Sequence, residues 1–590
     1  MQNTAMLSFS IISTLRRFSS SVTIDYSSAH TVSCTFVLFL ASLLLLAACE
    51  RHTHDVIITN GIIYDGSGNS SAEGGLAILN GRITHTGNLP DDISAPEVID
   101  AGGMAVAPGF INMLSWADEP LIEDGRSMSN IKQGVTLEVM GEGWSMGPLT
   151  DRMALIREQD QSYITYDVTW RTLGEFLEHL EDRGVSPNIA SFVGATTVRI
   201  HELGRDDRTP TPDQLQRMQN LVREAMQEGA MGLSTALIYA PAWYADTEEL
   251  IALSEAAAEY GGIYATHLRS EGDRFIEAVS EMLQIAEEAE IDAHIHHLKA
   301  AGKNNWHKID EVIDMVEQAR EERMNITSNM YMYTAAATRL SAIIPPWARE
   351  GERESMIERF QNPTMRSDII AEMESEDTDW ENFLQMVESP DDILLTGFRS
   401  DDLQRYVGWT LAEVARSRST DPAETVLDLI TEDDYTVNAV YFLMSEENLE
   451  KQVQLPWMTF GSDGGSFAAE GVFLDRSPHP RAYGNFARLL GEYVRERELV
   501  SLEDAIHRLT LKPAEILGID DRRGRLDEDY KADIVIFDPE QIQDHATYEN
   551  PHQYAEGVAF VLVNGTPVVK DGEHTGAKPG RVVRGPGWEP

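Results

Sequence analysis

Histidines at the ends of two predicted strands have the spacing of a metal-dependent active site. His267 ends the strand-like stretch "YATHL", and His294, His296 and His297 lie in the next one, "HIHHLK". The separation of His267 and His297 is close to the length of one βα unit, so neighbouring parallel strands would bring His267 and one later histidine together. A lone histidine is usually a hydrogen-bonded core or surface residue, but a pair at matching strand ends favours a metal site.

Two acidic residues follow other predicted strands. Asp463 lies in "TFGSDGG", where the glycines allow a substrate to approach the backbone closely. A carboxylate there could bind a metal, hold a water molecule or act as a general base. Glu142 lies between two glycines in "EVMGEGW". From the residues alone each acid could also be an ordinary turn residue, and for Glu142 this is the simpler interpretation.

The elements that must position these residues alternate between short apolar strands and longer acidic helices. This alternation predicts a parallel sheet of the α/β class, and eight strand candidates favour a (β/α)8 TIM barrel. In such a barrel the chemistry lies at the carboxyl ends of the strands. The eight candidates are "VAPGFINML", "TLEVMG", "IASFVG", "MGLST", "IYATHL", "HIHHLK", "NITSNMYMY" and "TFGSDG".

Two β-rich flanks surround this middle region. Residues 49–105 and 526–590 contain apolar runs and Asn-Gly or Asp-Gly turns, which predict a small β-sandwich domain built from both termini. The barrel then occupies residues 106–525. The gap between its last two strands is too long for one connection, so we expect a mostly helical insertion at about 340–455, near the barrel mouth.

Charge and cysteine content limit the possible partners. The chain has 590 residues, with Lys+Arg 47 against Asp+Glu 97, which gives a net charge of −50. This field would repel nucleic acid and anionic membrane surfaces, so no nucleic-acid partner is expected. The two cysteines, Cys34 and Cys49, both lie in the N-terminal fifty residues, so the main body can have neither a disulfide nor a cysteine metal ligand.

The first 48 residues resemble a signal peptide of the lipoprotein type. The apolar run "FVLFLASLLLLAAC" is too short to span a bilayer, and its end resembles a bacterial lipoprotein box in which Cys49 would be lipidated. The alternatives are a simple secretory signal or an uncleaved anchor. We expect a protein of the bacterial cell envelope, periplasmic or anchored to the outer membrane, that contacts the membrane only through this lipid.

Motifs along nearly the whole mature chain resemble the amidohydrolase superfamily and, within it, the D-aminoacylase (N-acyl-D-amino-acid deacylase) group. They include "QGVTLEVMGEG", "ATHLRSEGD", "HIHHLKAAGKNNW", "FGSDGG" and "HPRAYGNFARLL", in family order. The resemblance implies zinc-dependent hydrolysis of an amide bond. It places His267 and His297 on the family's metal ligands and Asp463 on the catalytic aspartate. Glu142 lies where some relatives have a ligand cysteine, and a carboxylate can replace it on zinc.

The resemblance also implies contacts to a substrate carboxylate. Relatives use a lysine, a tyrosine and an arginine, which match Lys299, Tyr331 or Tyr333, and Arg481. Arg481 could form a bidentate pair with a carboxylate, although a surface salt bridge is the alternative. The expected partner is therefore a small N-acyl amino acid.

The sequence departs from the family at the first strand. Relatives carry His-x-His there, as part of the more exposed half of a two-metal site, and this chain has Leu114 and Trp116. Since three protein ligands and a water suffice for a catalytic zinc, we expect one Zn2+ ion bound by Glu142, His267 and His297. Asp463 would take a proton from water and pass it to the leaving amine.

Two other functions stay open at this stage. One is a non-catalytic binding protein that has lost its metal, and the other is a cyclic-amide hydrolase. Retention of His267, His297, Lys299 and Asp463 together favours the enzyme, because a binding protein does not need both metal ligands and a base. The preferred side chain, the acyl group, the chirality and the oligomeric state are not predicted.

Overall fold

A computed structural model describes residues 53–376 and 378–589. The predicted signal peptide and Cys49 lie outside the described residues. Within the described ranges, no helix is both long enough and apolar enough to cross a membrane. The fold is mixed α/β and contains four sheets.

Strands from both ends of the chain pair in one nine-stranded sheet. In space the order is β21-β20-β19-β18-β5-β1-β2-β3, with β4 beside β1. The antiparallel pairing of β18 with β5 joins the two termini. Two of its hairpins turn at Asn80-Gly81 and Asn564-Gly565, where all four residues have positive φ, as a two-residue hairpin loop requires. The strands are β1 (Val56–Ile63), β2 (Ala72–Leu79), β3 (Arg82–Gly87), β4 (Glu97–Asp100), β5 (Ala105–Pro108), β18 (Ile534–Phe537), β19 (Val558–Val563), β20 (Thr566–Lys570) and β21 (Glu573–His574).

The middle of the chain forms parallel ladders from the strands that the sequence predicts. One sheet has the order β6-β7-β8 and the other β17-β13-β12-β11-β10-β9, and every neighbouring pair is parallel. Only Phe192 separates β8 from β9, and a parallel bridge joins Ser115, just after β6, to Gly464, just after β17. The strands are β6 (Phe110–Asn112), β7 (Val135–Met140), β8 (Asn188–Ser191), β9 (Val193–Gly194), β10 (Gly232–Ala236), β11 (Ile263–His267), β12 (Ala293–Ile295), β13 (Ile326–Met330) and β17 (Met458–Phe460).

Amphipathic helices follow most of these strands. The helix Pro212–Gln227 begins with a capping box formed by Thr211 and Gln214, and its buried residues recur with helical spacing. Such a helix buries one apolar stripe against the sheet and leaves its acidic face in water. The α-helices are Asp118–Glu123, Met128–Ile131, Asp151–Asp160, Leu173–Arg183, Ala195–Leu203, Pro212–Gln227, Thr247–Ala258, Phe275–Glu288, Lys308–Glu321, Arg353–Gln361, Pro363–Met373, Phe383–Met386, Leu411–Arg418, Pro422–Glu432, Glu446–Val453, Arg481–Arg488, Leu502–Leu509 and Leu511–Ile516.

The long connection between β13 and β17 is mostly helical but also holds a small sheet. It contains helices, but also an antiparallel sheet of three strands in the order β14-β16-β15. The strands are β14 (Ala336–Arg339), β15 (Ile393–Gly397) and β16 (Asn438–Tyr441). Only β15 has an obvious strand signal in the sequence. β14 and β16 are four residues each, and their pairing depends on partners distant in sequence.

Candidate metal centre and active site

Three of the predicted ligands converge. One ligand atom from each of Glu142, His267 and His297 lies within 4.8 Å of the others, and all three residues are buried. Nε2 of His297 is 2.9 Å and Nδ1 of His267 is 3.2 Å from Oε1 of Glu142. The two imidazole rings meet edge to face, with centroids 4.4 Å apart. The structure therefore gathers these three donors around one point.

Local backbone geometry places each donor. His267 is the last residue of β11, and His297 follows the neighbouring strand β12 by two residues. His297 has a φ of 36°, and its backbone N–H donates to Oδ1 of Asn329 at 2.8 Å, which holds this unusual conformation. Glu142 lies in a turn that needs glycine, because a Cβ on Gly143 would lie 2.5 Å from the Cβ of Ala236.

The electrostatics of the three groups favour a cation between them. Burial alone would raise the pKa of Glu142, but the neighbouring His297 and His267 hold this pKa well below its ordinary value. Burial and Lys299 lower the pKa of His297, but Glu271 and Glu142 outweigh both and raise it to about 9. The two carboxylates thus stabilise positive charge at this point, which a proton on His297 carries and which a metal ion would carry in its place.

The donor set fits zinc. One carboxylate and two imidazoles are the three protein ligands of many catalytic zinc sites, which leave a fourth position for water or substrate. Nε2 of His267 is buried without a hydrogen-bond partner among the described residues, a feature that it shares with Nε2 of His296 outside the ligand group. Glu142, His267 and His297 are therefore the residues that would hold the ion.

Glu271 is a site residue that the sequence analysis missed. Its Oε1 is 3.0 Å from Nδ1 of His297 and accepts from Nζ of Lys299 at 2.5 Å, and its other oxygen is 3.7 Å from Nε2 of His267. A carboxylate behind a ligand histidine fixes the ring orientation. The available signal was its position four residues after His267, inside the motif "ATHLRSEGD".

Asp463 is held on both carboxylate oxygens. Nε1 of Trp116 donates to Oδ1 at 3.0 Å, and Nη1 of Arg481 forms an ion pair with Oδ2 at 2.8 Å. The backbone N–H of Asp463 donates to the carbonyl of Leu114 at 2.9 Å. Trp116, which follows the first parallel strand β6, therefore donates a hydrogen bond to Asp463 at a position where the sequence lacks a metal ligand.

The predicted substrate-binding residues separate into two groups. The ring centroid of Tyr331 is 4.4 Å from Cζ of Arg481 and 6.0 Å from Nζ of Lys299, so these three side chains lie together. Tyr333 points elsewhere, since its hydroxyl donates to Oδ2 of Asp544 at 3.0 Å. Of the two tyrosines, Tyr331 is the one beside both cations.

The remaining histidines of the triplet lie outside the ligand group. Nδ1 of His294 is 2.8 Å from Oγ1 of Thr327, and its Nε2 is 2.9 Å from Nδ2 of Asn329. The amide of Asn329 also approaches Nδ1 of His296 at 3.1 Å. Burial lowers the pKa of His296 to about 3, so this ring is neutral. Asn329 thus orders the whole histidine strand, including the backbone of His297.

Comparison with known proteins places this site in a family. A model of the amidohydrolase family matches residues 97–569. An N-acyl-D-aspartate deacylase from Alcaligenes xylosoxydans xylosoxydans is 32% identical over 90% of this chain and 95% of its own length. A similar solved structure is that of an N-acyl-D-glutamate deacylase from Bordetella bronchiseptica, bound to zinc and a phosphonate mimic of the tetrahedral intermediate. The match has a TM-score of 0.72 and 29% identity, over 90% of this chain and 99% of that one.

A structure of D-aminoacylase that concerns one-metal activation and second-metal attenuation by a binuclear metal centre is also similar. The match has a TM-score of 0.74 and 28% identity, over 90% of this chain and 100% of that one. The chain belongs to the amidohydrolase family. More specifically, it is a metal-dependent hydrolase of linear amide bonds, similar to the deacylases of N-acyl-D-amino acids.

Proposed function

We propose that this protein uses one zinc ion to hydrolyse the amide bond of N-acyl-D-amino acids, which yields a carboxylate and a free amino acid. The observation that carries the proposal is the convergence of Glu142, His267 and His297 within 4.8 Å. It is supported by Asp463, the expected general base, whose two carboxylate oxygens are contacted by Trp116 and Arg481. The relatives named above act on N-acyl-D-aspartate and N-acyl-D-glutamate.

The proposal includes the architecture that the sequence predicts. If β8 and β9, which only Phe192 separates, are counted as one, the parallel strands number eight and would close into a (β/α)8 barrel, a closure supported by the bridge between Ser115 and Gly464. The nine-stranded sheet would form the β-sandwich domain built from residues 49–105 and 526–590. Glu142, His267, His297 and Asp463 would then share the carboxyl-terminal mouth of the barrel, because each follows or ends a parallel strand.

The chain's own residues would do the proton transfer and the positioning. A bound zinc ion supplies Lewis acidity, lowering the pKa of water and polarising the amide carbonyl. Asp463 accepts a proton from the attacking water and returns it to the leaving nitrogen. Trp116 and Arg481 keep its carboxylate from rotating, so that little reorganisation is needed during the reaction.

Three side chains would orient the substrate. Lys299, Tyr331 and Arg481 lie together beside the centre and present two cations and a phenol. Such a group suits the α-carboxylate of an N-acyl amino acid. Binding there would set the scissile amide between Asp463 and the metal ligands.

The residues that follow β6, the first of the parallel strands, favour a single metal ion. Leu114 and Trp116 offer no metal-binding atoms, and Trp116 makes a hydrogen bond to Asp463 instead. The site therefore lacks the donors for a second ion at this strand, and we propose a mononuclear centre.

The test combines metal analysis with turnover. Purified protein should contain about one equivalent of zinc and hydrolyse N-acyl-D-amino acids, and a chelator should abolish this turnover reversibly. A panel of D and L substrates should show which enantiomer is preferred. Zinc that stays bound after each ligand is replaced by alanine, or turnover insensitive to chelator, would contradict the proposal.

The cellular location remains part of the proposal. The lipoprotein-like sequence before Cys49 supports a lipid-anchored protein of the bacterial cell envelope. Incorporation of labelled fatty acid into the wild type but not into Cys49→Ala would support it. An unlabelled protein in the soluble fraction would contradict it.

A further inference from the structure

Asn329 contacts all three histidines of the stretch "HIHHLK". Its Oδ1 accepts from the backbone N–H of His297 at 2.8 Å, and its Nδ2 is 2.9 Å from Nε2 of His294 and 3.1 Å from Nδ1 of His296. All four residues are buried. The contact with His297 fixes which way the amide points, because a reversed amide would turn Nδ2 toward this N–H and two donors would meet.

The orientation of the amide determines which ring nitrogens carry hydrogen. Nδ2 is only a donor, so each of the two ring nitrogens that face it must present a lone pair. His294 therefore carries its hydrogen on Nδ1, which donates to Oγ1 of Thr327 at 2.8 Å. The hydroxyl of Thr327 directs its own hydrogen to the carbonyl of Ala293. His296 carries its hydrogen on Nε2, a buried atom without a hydrogen-bond partner among the described residues.

Neither of these two rings has a lone pair left for a metal ion. A histidine binds a metal through an unprotonated nitrogen. In His294 and His296 one nitrogen carries hydrogen, and the lone pair of the other accepts from Asn329. The amide contacts His297 through the backbone instead, and Nε2 of that ring lies 2.9 Å from Oε1 of Glu142 in the group of proposed ligands.

Position along the strand alone would not single out His297. Thr266 pairs with Ile295 in the parallel ladder, so the next step along both strands brings His296 beside His267. The backbone N–H of His296 donates to the carbonyl of Thr266 at 2.9 Å, which continues this register. Since side chains in register face the same side of a sheet, His296 faces the side of the proposed ligand His267. Alternation would place His297 on the opposite side, and its positive φ interrupts that alternation.

We propose that Asn329 is a positioning residue that selects His297 as the metal ligand. It occupies the lone pairs of the two competing rings, and its Oδ1 holds the backbone of His297 in the positive-φ conformation. The inference rests on the proposed metal centre of Glu142, His267 and His297. A carboxylate at position 329 would reverse the selection, because it would accept from Nδ1–H of His296 and leave Nε2 of that ring free for a metal.

The first experiment measures the ring tautomers directly. Nitrogen-15 NMR of the purified wild type with labelled histidine should show hydrogen on Nδ1 of His294 and on Nε2 of His296, assigned from the signals lost in His294→Gln and His296→Phe. Asn329→Asp is isosteric and keeps the acceptor for the backbone of His297. In N329D, hydrogen should appear on Nε2 of His294 and on Nδ1 of His296. The opposite tautomers in the wild type, or unchanged tautomers in N329D, would overturn the proposal.

The second experiment counts bound zinc and does not depend on turnover. After exposure to excess zinc and removal of loosely bound ions, the wild type should hold about one equivalent and N329D more than one. The additional zinc should disappear when N329D is combined with His296→Phe. The matched control is Asn448→Asp, at a buried asparagine whose amide donates to the carbonyl of Trp306, and it should hold about one equivalent. One equivalent in N329D would overturn the selection by Asn329.

Asn329→Ala tests the support of His297 by itself. This variant loses the acceptor for the backbone N–H of His297 as well as both donors to the other rings. We expect zinc affinity, measured by competition with a chelator, to fall roughly 10- to 100-fold. An unchanged affinity would show that the amide does not hold His297 in place and would overturn this part of the proposal.

The outcomes separate this inference from the proposed function. Zinc-dependent amide hydrolysis together with other tautomers would support the deacylase and overturn the role of Asn329. The expected tautomers and the additional zinc in N329D, without any amide hydrolysis by the wild type, would refute the deacylase and support the selection of His297.

Discussion

Two groups of residues in the candidate site differ in how they use their polar atoms. The metal side consists of Glu142, His267 and His297 with Glu271 and Lys299 behind them. The base side consists of Leu114, Trp116, Asp463 and Arg481. On the metal side the residues leave donor atoms facing a common point. On the base side they use their donors on one another, since Trp116 and Arg481 both bind Asp463.

This difference reflects the two roles proposed for residues at the strand ends, which are metal binding and proton transfer. A metal ligand must keep a lone pair free, so its neighbours orient the ring from behind, as Glu271 does for His297. A general base must keep its geometry without a metal, so donors fix it directly. On the proposed assignment, Trp116 after the strand β6 serves the second task and not the first, because its N–H donates to Asp463.

The largest expected effect is the loss of a metal ligand. Replacing His297 by alanine removes one of three donors and should reduce bound zinc from about one equivalent to near zero, with loss of nearly all turnover. Elemental analysis and kinetics on the same sample provide the measurement. The control is His545→Ala, at an exposed histidine away from the ligand group, which should retain zinc. Full zinc occupancy in His297→Ala would show that the metal side is wrongly assigned.

Replacing the base should separate chemistry from metal binding. Asp463→Asn keeps the shape and the contact with Trp116 but removes the proton acceptor. We expect kcat to fall roughly 100- to 10,000-fold while zinc content is unchanged. Loss of zinc in this variant would mean that Asp463 is a ligand and that the two sides are not distinct.

Glu271→Gln tests the support behind the metal side. The amide keeps an oxygen but loses the charge that pairs with Lys299 and His297, so metal affinity or activity should fall roughly 10- to 100-fold. The measurement is zinc affinity by competition with a chelator, together with kcat and KM. An unchanged zinc affinity with only a raised KM would instead assign Glu271 to the substrate pocket.

Part of this picture is predictable from sequence because it depends on local patterns. His267 and one histidine of the next strand follow from strand periodicity and the length of one βα unit, and the two Asn-Gly turns follow from the left-handed backbone they require. The choice of His297 among the three later histidines required the family resemblance. Glu142 required the family resemblance, because a lone acid between glycines has no distinctive pattern.

The rest depends on contacts between residues far apart in the chain. Trp116 and Asp463 are separated by 347 residues, and nothing near either one predicts their hydrogen bond. The insertion sheet pairs β14 with β16, which lie about a hundred residues apart in the chain. Sequence patterns therefore identify ligands better than the residues that position them.

Trp116 tests the base side directly. Trp116→Phe keeps the ring but removes the N–H that donates to Asp463, and kcat should fall about tenfold with zinc and KM little changed, since a hydrogen bond to a charged group contributes about 1.5–3 kcal/mol. The control is Trp409→Phe on the exposed surface. An equal fall in both variants would exclude a specific role for this contact.

The reverse change should convert the base side into a metal side. The double variant Leu114→His and Trp116→His restores two imidazoles at the first strand, and we expect it to bind about one further equivalent of zinc. Elemental analysis at increasing zinc concentration checks this. If the double variant still binds one ion, the first strand does not control the metal count.

A pH-dependent effect on stability is expected from Glu381, an insertion residue behind the metal side. Its carboxyl accepts from the Ser270 hydroxyl and from the backbone N–H of Glu271 at 3.0 Å, and burial raises its pKa to about 7. Below the ordinary value of 4.5 the group is protonated in both states. As the pH rises from 4.5 to about 7 the unfolded chain releases its proton first, so the free energy of unfolding falls by up to about 3 kcal/mol.

Glu381→Gln cannot ionise, so its stability relative to the wild type should increase between pH 5 and pH 8, measured by urea unfolding at each pH. A difference between Glu381→Gln and the wild type that stays constant from pH 5 to pH 8 would contradict the raised pKa of Glu381.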